Sequence, residues 1–121
     1  MSSREIITHI ENRQQLFDLI ANKENILVLK FGAEWCGPCK KIEGLVNEWY
    51  NILPANVICG ILDVDENFDV FAFYKQKRIV KTIPTILRYD ADHKHWAPSD
   101  FISSSDTKDI NTFFKSIVDD A

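Results

Sequence analysis

The sequence predicts an α/β protein with a mixed central sheet of about five strands and helices on both faces of that sheet. Three observations lead to this prediction. Apolar runs typical of buried strands alternate along the chain with apolar stripes at helical spacing. The predicted order β-α-β-α-β-α-β-β-α begins with crossover connections, which join parallel strands. It ends with a hairpin, so antiparallel strands should complete the sheet.

The first part of the chain predicts two strands separated by a helix. Residues 5–10 are rich in Ile and Thr, which favours a short strand. A helical stripe follows the candidate capping residue Asn12 and consists of Leu16, Leu19 and Ile20. Residues 26–31, ILVLKF, are almost continuously apolar, as expected of a central strand that other elements cover on both faces.

The middle of the chain predicts two helices around one strand. From Cys39 onward, one helical stripe contains Ile42, Leu45, Val46, Trp49 and Tyr50. Residues 56–65, NVICGILDVD, predict the next buried strand. The helix that follows carries Val70, Phe73 and Tyr74. Its candidate capping residues are Asp65, Glu66 and Asn67.

The last part of the chain predicts a hairpin and a packed helix. The segments 85–90, TILRYD, and 93–102, HKHWAPSDFI, flank polar residues and favour an antiparallel pair of strands. The candidate caps of the final helix are Ser105 and Asp106. Its apolar stripe consists of Ile110, Phe113, Phe114, Ile117 and Val118.

Length, composition and charge narrow the classes of protein. A chain of 121 residues with 45% hydrophobic residues can build one compact core, so we expect a single domain over residues 1–121. The formal net charge of -4 argues against a duplex nucleic-acid binder. The N-terminus is polar at once, and no run approaches the ~18 apolar residues of a membrane span. We therefore expect a cytoplasmic protein with no membrane association.

Cys36 and Cys39 are two cysteines separated by two residues, a spacing suited to electron exchange. A cysteine at a helix N-terminus is favoured as the thiolate, the form that attacks, and Cys36 precedes the predicted helix. Cys39 lies almost one turn further on, close enough to form a small ring with Cys36 and buried enough to act second. Pro38 suits the first helical turn, and Gly37 allows a tight turn.

Two other interpretations of this pair have less support. A zinc site needs about four ligands. The only remaining cysteine is Cys59, which we interpret as a core residue, and the histidines His9, His93 and His95 lie in unrelated segments. We therefore expect no metal. An inert disulfide is disfavoured by a thiol-reducing cytosol and by the exposed position that we expect for the pair.

The segments FGAEWCGPCKKI, DVDEN and TIPT resemble the thioredoxin family, and the order of elements is similar over almost the whole chain. The resemblance implies the thioredoxin fold and a protein-disulfide reductase in which Cys36 attacks and Cys39 resolves. It also implies that the bond between Ile83 and Pro84 is cis and that Ile83 pairs with an extended substrate segment. The implied substrate-binding residues are Trp35, Gly37, Pro38, Ile83 and Pro84.

The resemblance also implies the partners. The substrates would be proteins that contain disulfides, and the electrons would come from a thioredoxin-reductase-like protein or from glutathione. No bound cofactor is required, and we expect a monomer. Two alternatives stay open, namely an adaptor module with an altered substrate groove and a more oxidising disulfide oxidase or isomerase.

Lys30 is the most consequential departure from the family pattern, because relatives carry a buried acid at this position. We expect Lys30 to lie beneath Cys39, to pair partly with Asp63, and to act as a catalytic residue whose pKa is lowered by desolvation. A positive charge there would favour the thiolate and make the couple more oxidising. Alternatively, the Lys30 stem carries its ammonium to solvent with no effect on the cysteines.

Other departures concern the surroundings of the site. Gly32 replaces an aromatic residue that relatives often carry, Gly44 stands where related helices bend at proline, and the segment APSDFISSSD lacks a glycine of the partner groove. A cluster of cations either forms a positive rim that steers acidic partners or is simply solvated. Its members are Lys40, Lys41, Lys75, Lys77, Arg78 and Lys81.

Overall fold

The computed structural model describes residues 4–121, so the first three residues of the predicted 1–121 domain lie outside it. Its strands are β1 (Ile6–Ile7), β2 (Ile26–Gly32), β3 (Val57–Asp63), β4 (Thr85–Tyr89) and β5 (Asp100–Ile102). Its helices are α1 (Arg13–Ile20), α2 (Gly37–Ile52), α3 (Phe68–Gln76) and α4 (Thr107–Asp120). Within residues 4–121, none of these helices has both the length and the apolar character to cross a membrane.

The strands form one mixed sheet in the order β1-β3-β2-β4-β5. β3 pairs in parallel with both β1 and β2, whereas β4 pairs antiparallel with β2 and β5. β2 is therefore central, and all seven of its residues are buried. The predicted sheet and its antiparallel hairpin are confirmed.

Helices cover both faces of the sheet, and each face has its own apolar core. On one face, α1 and α3 pack against Leu27, Leu29 and Phe31 of β2. On the other face, α2 and α4 pack against Ile26 and Val28. Successive side chains of β2 point to opposite faces of the sheet and therefore enter both cores. This explains why the β2 sequence is continuously apolar rather than alternately apolar and polar.

Both edge strands are shorter than predicted. β1 contains two residues instead of the six in 5–10, because the chain then turns and the Ile10 amide donates to the Asn67 side chain at 2.8 Å. Of residues 93–102, only the last three form β5. The preceding segment instead folds over the core, where the Trp96 ring packs edge-on against Phe73 at 5.9 Å.

Of the helix details, one differs from the predictions. α2 begins at Gly37, directly after Cys36, which agrees with the predicted position of Cys36 before the helix. Val118 of α4 is largely exposed, because it lies at the margin of a stripe whose other four residues are buried. The cap of α4 is Asp106, whose side chain accepts a hydrogen bond from the Lys108 amide at 2.8 Å, so this part of the prediction is confirmed.

Asn67 does not cap α3 with its side chain, contrary to the prediction. It is buried, and its side-chain amide donates to the carbonyls of Thr8 at 3.2 Å and Asp63 at 3.0 Å. These bonds tie the connection between β1 and α1 to the carboxyl end of β3. Asn67 therefore fixes the sheet edge at which the candidate site lies.

Gly44 offers a test of helix stability. It is exposed in the interior of α2, and a Cβ at this position would meet no heavy atom within 4 Å. Gly44→Ala is expected to raise the free energy of unfolding by about 0.5–1 kcal/mol, because alanine loses less backbone entropy in a helix. Urea denaturation of the oxidised protein measures this change.

Gly60→Ala is the matched control for this prediction. A Cβ at Gly60 would lie 2.7 Å from Leu29 Cδ2 and 3.3 Å from the Ile7 carbonyl oxygen, so this variant should lose stability. A lower stability of Gly44→Ala would contradict the prediction and would indicate that α2 needs the flexibility of glycine at this point.

Candidate active site

Cys36 lies at the start of α2, directly after the sheet edge. β2 ends at Gly32, and Cys36 is the N-cap residue of α2 with extended backbone angles, φ -91° and ψ 108°. The Cys39 amide donates to the Cys36 Sγ at 3.2 Å. Pro38 occupies the first turn, where its missing N–H costs no helical hydrogen bond. Free backbone amides and the helix dipole therefore face the Cys36 sulfur and favour its thiolate.

Cys36 and Cys39 form a disulfide with their Cα atoms 5.3 Å apart. Their exposed fractions are 5% and 4%, so the expected exposed position is wrong, whereas the burial expected of Cys39 is confirmed. The loop before β4 lies against Cys36, since the Cys36 Sγ is 3.8 Å from the Ile83 carbonyl oxygen. The disulfide is thus shielded rather than a surface crosslink.

The loop that faces the disulfide contains a cis peptide bond between Ile83 and Pro84, as the family resemblance implies. Pro84 is buried and Ile83 is half-buried. The Thr85 hydroxyl anchors the end of the loop, because it donates to the Thr82 carbonyl at 2.6 Å and bonds with the Ser103 hydroxyl at 2.7 Å. The Ile83 backbone is thereby held at a fixed distance from Cys36.

Two large aromatic side chains are exposed at this end of the molecule. Trp35 is 70% exposed, and its indole N–H donates to Asp65 at 2.9 Å. Phe68, the first residue of α3, is 73% exposed. Sequence reasoning missed Phe68, although its position between the polar residues Asn67 and Asp69 was a signal that it belongs to no buried stripe.

Lys30 lies below the disulfide on the α2 side of the sheet, with an exposed fraction of only 5%. A Cβ built at Gly32 would lie 3.3 Å from the Cys39 Sγ and 3.9 Å from the Lys30 Cε, so both side chains lie close to Gly32. An aromatic side chain at Gly32 would displace them. The predicted position of Lys30 beneath Cys39 is therefore confirmed.

A cavity of about 320 Å³ opens beside these residues. Its lining includes Lys30, Cys39, Glu43, Asp63 and Glu66. Lys30 lines this cavity as a buried residue, and its effect on the cysteines stays a prediction. The cavity brings Cys39 together with titratable side chains from β2, α2 and β3.

The charge partner of Lys30 differs from the prediction. Burial lowers the pKa of Lys30, and the negative charge of Glu43 opposes this shift. The expected pairing with Asp63 is wrong, because the ion pairs formed among residues 4–121 do not include Lys30. The Asp63 carboxylate instead accepts the amides of Asp65 at 2.8 Å and Glu66 at 3.2 Å.

Comparison with known proteins agrees with this geometry. The family model described as Thioredoxin matches residues 7–116. The chain belongs to the thioredoxin family. Thioredoxins are protein disulfide oxidoreductases, and the five-stranded sheet with four helices described above is the thioredoxin fold.

Individual thioredoxins are 26% to 36% identical to this chain over the aligned residues. The thioredoxin of Mycoplasma pneumoniae is 34% identical over 93 residues, which cover 76% of this chain and 85% of that protein. A thioredoxin of Arabidopsis thaliana is 36% identical over 78 residues, which are 62% of this chain but only 60% of the plant protein. The crystal structure of oxidised mitochondrial thioredoxin 3 from Saccharomyces cerevisiae is 26% identical, with a TM-score of 0.69 and coverage of 91% of this chain and 94% of that one.

The predicted positive rim around this thioredoxin site is smaller than expected. The ammonium of Lys77 lies 5.0 Å from the ring centre of Trp96. The Trp96 carbonyl in turn accepts a hydrogen bond from the Tyr89 hydroxyl. Tyr89 pairs with Leu27 at the start of β2, whereas the disulfide follows the end of β2. Lys77 is therefore remote from the site. The Lys75 ammonium instead lies 5.7 Å from the ring centre of Phe71, which neighbours Phe31 near the end of β2. The exposed lysines that remain close in sequence to the site are Lys40, Lys41 and Lys81.

The third cysteine and the histidines take no part in a metal centre. Within residues 4–121, no group of three or more His, Cys, Asp or Glu side chains is arranged to hold a metal ion. His93 bonds to the Ala97 carbonyl at 2.6 Å, and His95 accepts the Ala97 amide at 3.0 Å, so both histidines organise their own loop. Cys59 is fully buried in β3, as predicted for a core residue.

Cys59 should be inert while the protein is folded. Burial raises its thiol pKa from 9.0 to about 11, partly opposed by the Arg4 guanidinium 3.8 Å from the Sγ. Iodoacetamide at pH 8 is therefore expected to leave Cys59 unmodified in the oxidised, folded protein and to modify it in urea, as mass spectrometry can show. The folded state favours the protonated thiol of Cys59. The contribution of this thiol to the free energy of unfolding should therefore be complete below pH 9 and lost as the pH rises through 11. Rapid alkylation of the folded protein at pH 8 would contradict this prediction.

Proposed function

We propose that this chain reduces disulfides in other proteins by dithiol exchange, with Cys36 as the attacking thiol and Cys39 as the resolving thiol. The observation that carries the proposal is the position of Cys36 as the N-cap of α2, with the Cys39 amide donating to its sulfur. Such a sulfur is stabilised as the thiolate, and its partner is already within bonding distance. Membership of the thioredoxin family supports the same activity.

The exchange consists of two substitutions at sulfur. In the reduced protein, the Cys36 thiolate attacks one sulfur of the target disulfide, and the other target sulfur leaves as a thiolate. Cys39 then loses its proton and attacks Cys36, which breaks the mixed disulfide and releases the second target thiolate. The target gains two electrons, and the Cys36–Cys39 disulfide is formed.

The proposed substrate segment lies extended against the loop that contains Ile83. Its backbone would pair with Ile83, next to the Cys36 sulfur 3.8 Å away from the Ile83 carbonyl. Trp35, whose ring is exposed, and Gly37 and Pro38 at the start of α2 would also contact this segment. Main-chain pairing suits a protein that reduces disulfides in many different sequences, because backbone hydrogen bonds do not depend on the side chains of the target segment.

The proposed electron donor is a thioredoxin-reductase-like protein or glutathione, and the proposed active form is a monomer without a bound cofactor. The proposed location is the cytoplasm, whose thiol pools keep such a pair reduced. The similar yeast protein is named a mitochondrial thioredoxin, so the family occurs in more than one compartment. Imaging of the fluorescently tagged chain tests the location.

One observation favours a second function, the oxidation or isomerisation of disulfides. Lys30 places a buried ammonium beside Cys39, and positive charge stabilises the reduced, thiolate-bearing form of the pair. A more stable reduced form makes the couple more oxidising. The direction of exchange in the cell therefore depends on the potential of the Cys36–Cys39 pair.

An insulin assay tests the proposed function. The protein is expected to accelerate the reduction of insulin by dithiothreitol, and equilibration with glutathione buffers gives the potential. Acceleration together with a potential more negative than that of glutathione supports a reductase. A potential above that of glutathione supports an oxidase or isomerase instead. A folded protein without effect on insulin would refute the proposal and favour an adaptor.

A further inference from the structure

Glu43 lies where a carboxylate can act on Cys39. It follows Cys39 by four residues on α2, and residues at this spacing share one helix face with Cβ atoms about 5–6 Å apart. Glu43 also lines the 320 Å³ cavity together with Cys39 and Lys30. Two side chains of unlike charge thus line one cavity with Cys39, one from the sheet and one from the helix.

We propose that Glu43 is a positioning residue that opposes Lys30 and thereby sets the redox potential of the Cys36–Cys39 pair. This inference rests on the proposed exchange of electrons at that pair. Lys30 draws negative charge onto the Cys39 sulfur, whereas Glu43 repels it. The pair of side chains keeps the neighbourhood of Cys39 close to electrically neutral, although a buried lysine stands in the sheet.

The burial of Lys30 explains why it needs such a partner. Only 5% of its surface is exposed, and among residues 4–121 no carboxylate forms an ion pair with it. A buried ammonium without a nearby negative charge is unfavourable, and Glu43 is the carboxylate whose charge acts on it. Glu43 itself is exposed at the mouth of the cavity, so its own desolvation costs little.

The other charges around the cavity are less suited to this role. Asp63 on β3 is occupied by two backbone amides. Glu34, Lys40 and Glu66 line the same cavity and are exposed, as Glu43 is, but the negative charge that acts on Lys30 is that of Glu43. Opposite signs among these exposed groups partly cancel, and salt screens them.

The redox consequence follows from the charge of the reduced pair. Reduction breaks the Cys36–Cys39 bond, adds two electrons, and takes up one proton for each sulfur that does not remain a thiolate. Lys30 stabilises a thiolate at this pair and Glu43 destabilises it, so the two side chains change the free energy of the reduced form in opposite directions. Removal of each side chain should therefore shift the potential in opposite directions, which a purely structural role would not produce.

The test compares Lys30→Met, Glu43→Gln and the double variant in glutathione buffers at pH 7. Lys30→Met should shift the equilibrium roughly tenfold toward the oxidised protein, because a buried charge near the sulfur is lost. Glu43→Gln should shift it roughly threefold toward the reduced protein, since Glu43 is more exposed, and this shift should shrink in 1 M salt. The double variant should lie between the two.

Glu48→Gln is the matched control, because Glu48 is an exposed residue of α2 that does not line the cavity. It should leave the potential unchanged. The inference is refuted if Glu43→Gln behaves like Glu48→Gln or shifts the equilibrium in the same direction as Lys30→Met. Failure of the proposed function is distinguishable, because wild-type protein inactive on insulin would still give a measurable potential for each variant.

Discussion

Cys36→Ser is expected to reduce insulin no faster than dithiothreitol alone. A serine hydroxyl does not form the mixed disulfide that the exchange requires, and Cys39 is not expected to replace the lost thiol, because the amide that favours a thiolate donates to the N-cap sulfur of Cys36. The fold should survive the change, since serine is a favoured N-cap residue and can accept the same amide hydrogen bond. Insulin turbidity and circular dichroism measure the two expectations.

Cys39→Ser is the informative partner of that variant. Cys36 keeps its position at the helix N-terminus and can still attack a target, but nothing resolves the product. We expect turnover to fall to the background rate while a covalent complex with the target accumulates on a non-reducing gel. Cys36→Ser should form no such complex. Equal trapping by both variants, or full turnover by Cys36→Ser, would contradict the assignment of attacking and resolving thiols.

The sequence predicted those parts of the fold that depend on neighbouring residues. The uninterrupted apolar run of β2 and the helical stripes of α2 and α4 identified the elements and their order correctly. The edge strands were predicted too long, because their ends depend on distant partners. β1 is short because the chain leaves the sheet and the Ile10 amide donates to the Asn67 side chain. The segment before β5 does not pair with β4, because Trp96 packs on Phe73 instead.

The same distinction holds for the site. The relation between Cys36 and Cys39 is set within one turn of helix, so residue spacing predicted it. The partner of Lys30 was predicted wrongly, because it depends on the register between strands. Lys30 pairs with Ile61, whereas Asp63 lies opposite Gly32, two residues further along β3. Glu43 reaches the same cavity from a different element, which no local pattern indicates.

Phe31→Ala is expected to cause the largest loss of stability among the changes considered. The ring of Phe31 is fully buried on the sheet face opposite Lys30, packed edge-on against Tyr74 at 5.4 Å and near Phe71 at 6.4 Å. Removing it leaves a cavity between β2 and α3, and such changes cost about 3–5 kcal/mol. Since small domains have about 5–15 kcal/mol of stability, much of the total would be lost.

Urea denaturation of the oxidised proteins measures this effect with the disulfide intact in every sample. Phe68→Ala is the matched control, because its ring is 73% exposed and its loss should change the free energy of unfolding by less than about 0.5 kcal/mol. A loss below about 1 kcal/mol in Phe31→Ala would mean that the core beneath the site closes around the missing ring. In that case β2 would not be the rigid support that holds Gly32, and with it Cys39, in position.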